Sequence, residues 1–230
     1  MVSACDLAPQ YDIQNLTSTS PSSHSSFTSF LGSISLQLSS LPPKKPAYHS
    51  KIEDEGFAQA CGLSFMPLKT SIKGPAPPQT DDSPDIIDEA ITTFRANVLF
   101  KNFEVKTGAD RTLIYLTLYI QLCLKECERV KSKKEAKAAL YQLAIKSFTL
   151  PGESGWTLGG MFPPPSSRDE TETFKAYIKQ ARTECSERLL DRFYDESGEH
   201  NKWWMSFSKR KFMGKELRTW LQRQMVMVIM

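Results

Sequence analysis

Residues that could carry out catalysis are few in this sequence and lie far apart. None of its three histidines, His24, His49 and His200, stands beside a nucleophile or an acid in a recognisable catalytic pattern. GESG, at Gly152–Gly155, lacks the G-x-S-x-G spacing of a nucleophile elbow, and GWTLGG fits no glycine-rich phosphate loop. We therefore expect a protein that is not an enzyme and has no cofactor, with each histidine solvated or locally hydrogen-bonded.

Cysteine is the other residue type that could bind a metal or act as a nucleophile. Cys123 and Cys127 are one helical turn apart, and Cys185 lies on a segment that could face them, but no histidine accompanies the three. A structural zinc site needs four ligands supplied in close pairs. We interpret these cysteines as small buried hydrophobic residues. The full set, which includes Cys5 and Cys61, is odd and widely spaced, and this favours a reducing, intracellular setting.

A cationic, aromatic segment near the C-terminus could form a binding surface. Its candidate partner-contact residues are Lys202, Lys209, Arg210, Lys211 and Lys215, with Arg218 just beyond and Trp203, Trp204, Phe207 and Phe212 interleaved. Glu216 is the single acid between Lys202 and Arg218. Three interpretations stay open. The aromatic residues are core anchors beneath solvated lysines, or the segment binds a protein partner, or it binds nucleic acid.

Overall charge and hydropathy set limits on the partners. The 230 residues include 29 Lys and Arg against 26 Asp and Glu, a net charge of +3. This balance gives no general field that attracts nucleic acid or an anionic membrane, so any basic site must be local. No apolar run reaches the roughly 20 residues that span a bilayer, and residues 1–43 contain no Lys or Arg, unlike a transit peptide. We expect a cytosolic protein.

The chain divides by composition into three parts. Residues 1–45 are rich in serine and poor in charge, which predicts a disordered extension. Residues 46–217 are predicted to form one helical domain, and 218–230 an atypical tail. Within the domain, Pro75–Pro78 predicts an extended polyproline-like connector, with an SH3-type ligand as the alternative.

An uncharged run, TLIYLTLYIQLCL from Thr112 to Leu124, predicts a helix surrounded by other helices. Its apolar side chains cover the whole circumference, and the run is too short to span a membrane. Asp110 is expected to cap this helix, which continues toward Lys131.

Further helices are predicted around it. Ser83 is expected to cap the first, with Pro84 at its first position. The others are KKEAKAALYQLAIKSF, a long helix that begins with capping-box spacing from Ser167 to Glu170, and a last helix in NKWWMSFSKRKFM. The predicted fold is all-α, a single small domain of about five helices with one central helix.

Several long blocks carry a family resemblance. They are PAYHS, KGPAPPQTDD, DIIDEAI, FRANVLFKNFEVKTGADRTLIYLTLYIQLCLK, LPGESGW and KWWMSFSKRKFM, in order from Pro46 to about Leu217. These blocks are similar to subunit 3, the 21-kDa subunit, of the actin-related protein 2/3 complex.

The resemblance implies a small helical, non-catalytic subunit of an assembly that nucleates branched actin filaments. It implies docking on the actin-related protein 3 subunit near the branch junction, contact with actin filaments within the assembled complex, and a location in the cytoplasm and cytoskeleton, at cortical actin and cell projections. ATP is bound by other subunits of the family. The alternative is a free-standing helical adaptor or nucleic-acid-binding module that uses the cationic segment.

The sequence departs from the family pattern at both ends. The pattern begins with Met directly before PAYHS, where this chain has Lys45 and further residues upstream. We expect residues 1–45 to reflect a mis-predicted start or an unusual isoform, with a functional extension as the alternative. Residues 218–230, which end in an apolar run, are expected to reflect a wrongly spliced terminus.

Overall fold

The computed structural model describes residues 47–217, and helices make up most of its regular structure. The elements are β1 (Gln59–Ala60), β2 (Leu63–Ser64), α1 (Ile86–Asn97), α2 (Gly108–Cys127), α3 (Lys133–Ile145), α4 (Arg168–Phe193) and α5 (Lys202–Met205), with 3-10 turns at Gly159–Met161 and Phe212–Gly214. The predicted extension 1–45 and the tail 218–230, with Cys5, His24 and Arg218, lie outside the described residues.

Helix α2 is the centre of the domain, as predicted. Helices α1, α3 and α4, strand β2 and the turn Phe212–Gly214 all pack against it. Sixteen of its 20 residues are buried, among them Leu113, Leu116, Leu118 and Ile120 at 0% exposure. An uncharged circumference is therefore matched by neighbours on every side.

The start of α2 differs from the prediction. Thr107 caps the helix, because its Oγ1 accepts a hydrogen bond from the Asp110 backbone N–H at 3.1 Å. Asp110 is the third residue of the helix and is 1% exposed. Its carboxyl oxygens accept from the backbone N–H groups of Ser50 and Lys106 and bond His49 Nδ1 at 2.9 Å. The residue expected to cap the helix instead ties the segment around His49 to it.

A small antiparallel sheet qualifies the all-α prediction. Strands β1 and β2 pair Gln59 with Ser64 and Ala60 with Leu63. Cys61 and Gly62 form the connecting turn with φ angles of 50° and 70°, as a two-residue hairpin turn requires. Strands of two residues are too short to show an alternating pattern, so the sequence did not indicate them.

Two further helix ends refine the predictions. Asp85, not Ser83, caps α1, because Asp85 accepts from the N–H groups of Ile87 and Asp88 and Asp88 bonds back to the Asp85 N–H. Ser167 caps α4 as predicted, but the Glu170 carboxylate bonds Ser166 and the Cys61 N–H and does not complete a capping box.

The predicted last helix is a single turn. After α5 the chain continues through successive backbone turns to the 3-10 turn Phe212–Gly214. The aromatic residues that predicted a helix are held by contacts with other elements, described below.

The proline-rich connector is fixed to the domain by backbone hydrogen bonds. Leu68 N–H donates to the Pro77 carbonyl at 3.0 Å, and Ala76 N–H donates to Gln180 Oε1 on α4 at 3.0 Å. A Cβ at Gly74 would collide with the end of the Gln180 side chain, which would have to move away from its hydrogen-bond partners Ala76 and Ile72. The predicted extended connector is thus a packed element of the fold.

A partly buried ionic network joins the backbone at Lys69, α1 and α4. Arg188 Nη1 and Nη2 donate to the two carboxylate oxygens of Asp85 at 2.8 Å each, and Nη2 also donates to the Lys69 carbonyl. Asp88 and Glu184 complete its partners. Burial opposes ionisation of Asp85, but the hydrogen bonds from Arg188 and from the backbone hold the pKa of its carboxyl below the usual value.

Replacing Leu118 by Asp tests the central position of α2. An unpaired charge at a side chain with 0% exposure costs several kcal/mol, against a typical domain stability of about 5 to 15 kcal/mol. We expect Leu118→Asp to abolish the cooperative unfolding transition in circular dichroism. Leu122→Asp is the matched control, since Leu122 is half-buried and is expected to keep the transition. A wild-type transition in Leu118→Asp would contradict the central packing.

Replacing Arg188 by Met tests the ionic network. Removing one partner leaves Asp85 buried without its cation, which costs about 3 to 5 kcal/mol. Arg129→Met is the control, because Arg129 pairs with Glu126 alone among residues 47–217 and is 63% exposed, so its loss is expected to stay within about 0.5 kcal/mol. Urea unfolding at neutral pH measures both.

The same variant has a defined pH dependence. A carboxyl with a lowered pKa in the folded state stabilises the protein above its unfolded pKa, and this contribution is lost as pH falls through the folded pKa. The difference between wild type and Arg188→Met is therefore expected to shrink as pH falls below the ordinary Asp value of 3.8. A difference that stays constant down to acid pH would exclude Asp85 as its source.

Candidate partner-binding surface

The described cysteines are buried and unreactive. Cys61, Cys123, Cys127 and Cys185 are free thiols, and burial raises the pKa of Cys61 to about 11 and that of Cys127 to about 12. Burial also raises the pKa of Cys123 and Cys185. These thiols stay protonated near neutral pH, which makes them poor nucleophiles there. The interpretation of Cys123, Cys127 and Cys185 as small buried hydrophobic residues is confirmed, since each is at most 1% exposed.

The two described histidines have local partners. His49 bonds Asp110 and packs on the Phe103 ring with centroids 4.7 Å apart. His200 Nε2 lies 3.1 Å from Tyr194 Oη, a locally hydrogen-bonded arrangement like that of His49. Within residues 47–217, no group of three or more His, Cys, Asp or Glu residues is placed to hold a metal ion. In the same range, no helix is long and apolar enough to cross a membrane.

The cationic segment, residues 201–217, is held to the domain by its aromatic side chains. Trp204 stacks on Phe94 of α1 at 5.7 Å and contacts Phe193 at the end of α4 at 5.4 Å. Phe212, which is 0% exposed, meets Phe103 edge to face at 5.9 Å. These contacts support the interpretation of these aromatic residues as core anchors.

A buried glutamine of the central helix fixes the far end of the segment. Gln121 Oε1 accepts from the Phe212 backbone N–H at 2.9 Å, and Gln121 Nε2 donates to the Lys215 carbonyl at 3.2 Å. Met213 N–H donates to the Phe100 carbonyl at 3.0 Å. The cations between α5 and Lys215 are therefore carried by a backbone that is anchored at both ends.

The five predicted contact residues differ in how free their side chains are. Lys202, Lys209 and Arg210 are exposed, and their side chains form no hydrogen bond or ion pair with any residue from 47 to 217. Lys211 Nζ lies 3.4 Å from Glu216 Oε1, which Lys125 also approaches at 3.5 Å. Lys215 is half-buried and donates to the Thr157 carbonyl at 3.3 Å. The structure thus leaves three of the five cations free.

Trp203 was missed as a surface residue. It is 76% exposed, while its neighbour Trp204 is 8% exposed. Adjacent residues of a helix point about 100° apart, so both indoles could not face the same core. This geometry was the available signal in the sequence.

The described residues thus define a class of protein, a small helical domain with an enclosed central helix and an exposed cationic segment. The family model described as P21-Arc, the ARP2/3 complex ARPC3 (21 kDa) subunit, matches residues 45–217. The chain belongs to this family, and the resemblance found in its sequence blocks is confirmed.

Curated relatives agree with this assignment. Actin-related protein 2/3 complex subunit 3 of Arabidopsis thaliana is 48% identical over 167 residues, which cover 72% of this chain and 96% of the relative. The protein of the same name from Dictyostelium discoideum is 47% identical over 173 residues, covering 74% and 99%. That of Schizosaccharomyces pombe is 42% identical over 174 residues, covering 75% and 99%. Membership of this family does not favour a free-standing adaptor or nucleic-acid module.

Replacing Gln121 by Leu tests the anchor of the cationic segment. The change leaves the Phe212 N–H and the Lys215 carbonyl without their partner, and each buried unpaired group costs about 1 to 3 kcal/mol. We expect faster hydrogen exchange at the Phe212 amide together with lower stability. Gln142→Leu is the control, because Gln142 is exposed on α3. Unchanged exchange at Phe212 would show that Gln121 does not hold the segment.

Proposed function

We propose that this chain is a non-catalytic structural subunit of the actin-related protein 2/3 complex. It docks on the actin-related protein 3 subunit near the branch junction and so supports nucleation of branched actin filaments, which it contacts within the assembled complex. Family membership over residues 45–217 supports the assembly, as do relatives named for the same complex. Residues 46–217 are the assembling unit on this proposal, with 1–45 and 218–230 outside it.

One observation carries the choice of surface. Lys202, Lys209 and Arg210 are free cations on a backbone whose aromatic side chains are committed to the core. Exposed charges of this kind contribute little to folding and are available to an acidic partner, where they raise the association rate and fix orientation. Lys211 and Lys215 contribute less, because Glu216 and the Thr157 carbonyl already engage them.

A structural role also agrees with the polar chemistry of the domain. The buried carboxyl groups of Asp85 and Asp110 are occupied by hydrogen bonds that hold elements together. The thiols have raised pKa values and stay protonated. On this proposal the protein is located in the cytoplasm with the actin cytoskeleton, at cortical actin and cell projections.

Co-purification tests the proposal. The tagged full-length chain is expected to recover the actin-related subunits from an extract of its own cells. Lys209→Glu with Arg210→Glu is expected to reduce that recovery at least about tenfold, because two attractive pairs become repulsive. Lys134→Glu with Lys137→Glu is the matched control, since it makes the same change of charge at exposed positions of α3.

The outcomes separate the two parts of the proposal. A wild-type chain that recovers no actin-related subunit would refute the assembly itself. Normal recovery by the Lys209 and Arg210 variant would leave the assembly standing and refute the surface. Nucleic acid recovered in place of actin-related subunits, with steep loss on adding salt, would favour the alternative class.

A further inference from the structure

We infer that Trp203 is the anchor of the partner contact and that the partner presents an apolar pocket rimmed by carboxylates. This inference rests on the proposed function and names the chemistry of the surface that the cationic segment meets. It starts from the exposure of Trp203, which the core contacts of the segment do not explain.

The backbone that carries Trp203 is fixed, and its side chain points into solvent. Its backbone N–H donates to Asn201 Oδ1 at 3.1 Å, and its carbonyl accepts from Ser206 Oγ at 2.9 Å. The next residue, Trp204, is stacked on Phe94 and fixes the orientation of the turn. When a partner binds the Trp203 indole, little more than the χ angles of that side chain has to be ordered. The entropic cost of binding is therefore low.

The exposed indole has no role in the fold that its contacts reveal. At 76% exposure it is the most exposed large hydrophobic side chain of residues 47–217. It takes part in none of the ring contacts formed in that range. A large aromatic surface left in water is favourable to bury in a complex, and Trp is enriched among residues that dominate binding energy.

The charges around the indole define its occupant. Lys202 precedes it in the chain, Lys209 and Arg210 follow on the same anchored segment, and the Arg95 guanidinium lies 5.9 Å from the Trp204 ring centroid. An exposed apolar side chain on a cationic segment is complementary to an apolar pocket with an acidic rim. The indole N–H adds a need for one acceptor, which a carboxylate or carbonyl of the partner supplies.

A second exposed aromatic side chain on a described helix provides a comparison. Tyr141 on α3 is 53% exposed and borders a mainly apolar groove between α3 and α4 with a volume of about 310 Å³. The cations at this groove, Lys134 and Lys137, are offset by Glu187. The charges at this groove favour an acidic partner less than those of the segment that carries Trp203. Tyr141 is therefore a control for the loss of an exposed aromatic ring.

The experiment measures binding of the full-length chain to an actin-related protein 2/3 complex reconstituted without subunit 3. Trp203→Ala is expected to weaken the affinity on the order of 30-fold at both low and physiological ionic strength, mainly through faster dissociation. Trp203→Phe is expected to recover part of the loss. Lys209→Ala with Arg210→Ala is expected to weaken binding chiefly at low ionic strength, where exposed charges are least screened.

The controls make each result decisive. Thermal unfolding of Trp203→Ala is expected to match wild type, because the side chain makes few contacts. Tyr141→Ala is expected to bind as wild type does. Affinity of Trp203→Ala within twofold of wild type, or loss of affinity in Tyr141→Ala instead, overturns the inference while the proposed function stands. Wild-type chain that does not bind the reconstituted complex overturns both.

A single-stranded oligonucleotide provides the last arm. A tryptophan among cations can also stack on a nucleic-acid base. Trp203→Ala that loses oligonucleotide binding but keeps its affinity for the reconstituted complex would overturn the assignment to a protein pocket. If Trp203→Ala binds the reconstituted complex more weakly than wild type does, and wild type does not bind the oligonucleotide, the assignment to a protein pocket is supported.

Discussion

Burial of helix α2 on all sides is the constraint from which the rest of the domain follows. An uncharged cylinder is stable in water only when other elements cover it completely, and here α1, α3, α4, β2 and the turn Phe212–Gly214 do so. Each covering element packs one face against α2 and exposes the other to solvent. The interior side chains of the domain are therefore used in packing. We expect its binding specificity to lie on the outer faces of the helices and on the segments between them.

Buried polar side chains decide where those segments lie. Asp110 holds the chain around His49 and Ser50, Gln121 holds the turn at Phe212, and Gln180 holds the proline-rich connector. Each of these buried side chains has its hydrogen-bond partners only when the non-helical segment lies in one place. A different placement would leave a buried polar group unpaired, which is costly. Apolar burial gives the domain most of its stability, whereas these polar pairs select one arrangement of its irregular parts.

The sequence predicted the central helix and the apolar faces of α3 and α4 because uninterrupted apolar spacing leaves one way to bury them. It misplaced the caps of α1 and α2, since Ser83, Asp85, Thr107 and Asp110 all have side chains that can cap, and tertiary partners decided among them. It overextended the last helix, because aromatic spacing around Trp204 and Phe212 reports contact with the core and not the backbone conformation between them. The exposure of Trp203 could not be predicted without knowing which of the two adjacent indoles, Trp203 or Trp204, packs into the core.

The candidate surface depends on the core without being part of it. Phe212, Trp204 and Gln121 fix the backbone of the cationic segment, while Lys202, Trp203, Lys209 and Arg210 add almost nothing to that packing. Folding and the proposed partner contact therefore depend on different side chains of one short segment. A short turn held at both ends suits a permanent subunit, because its side chains are already in place when the partner arrives and the complex forms with little loss of chain entropy.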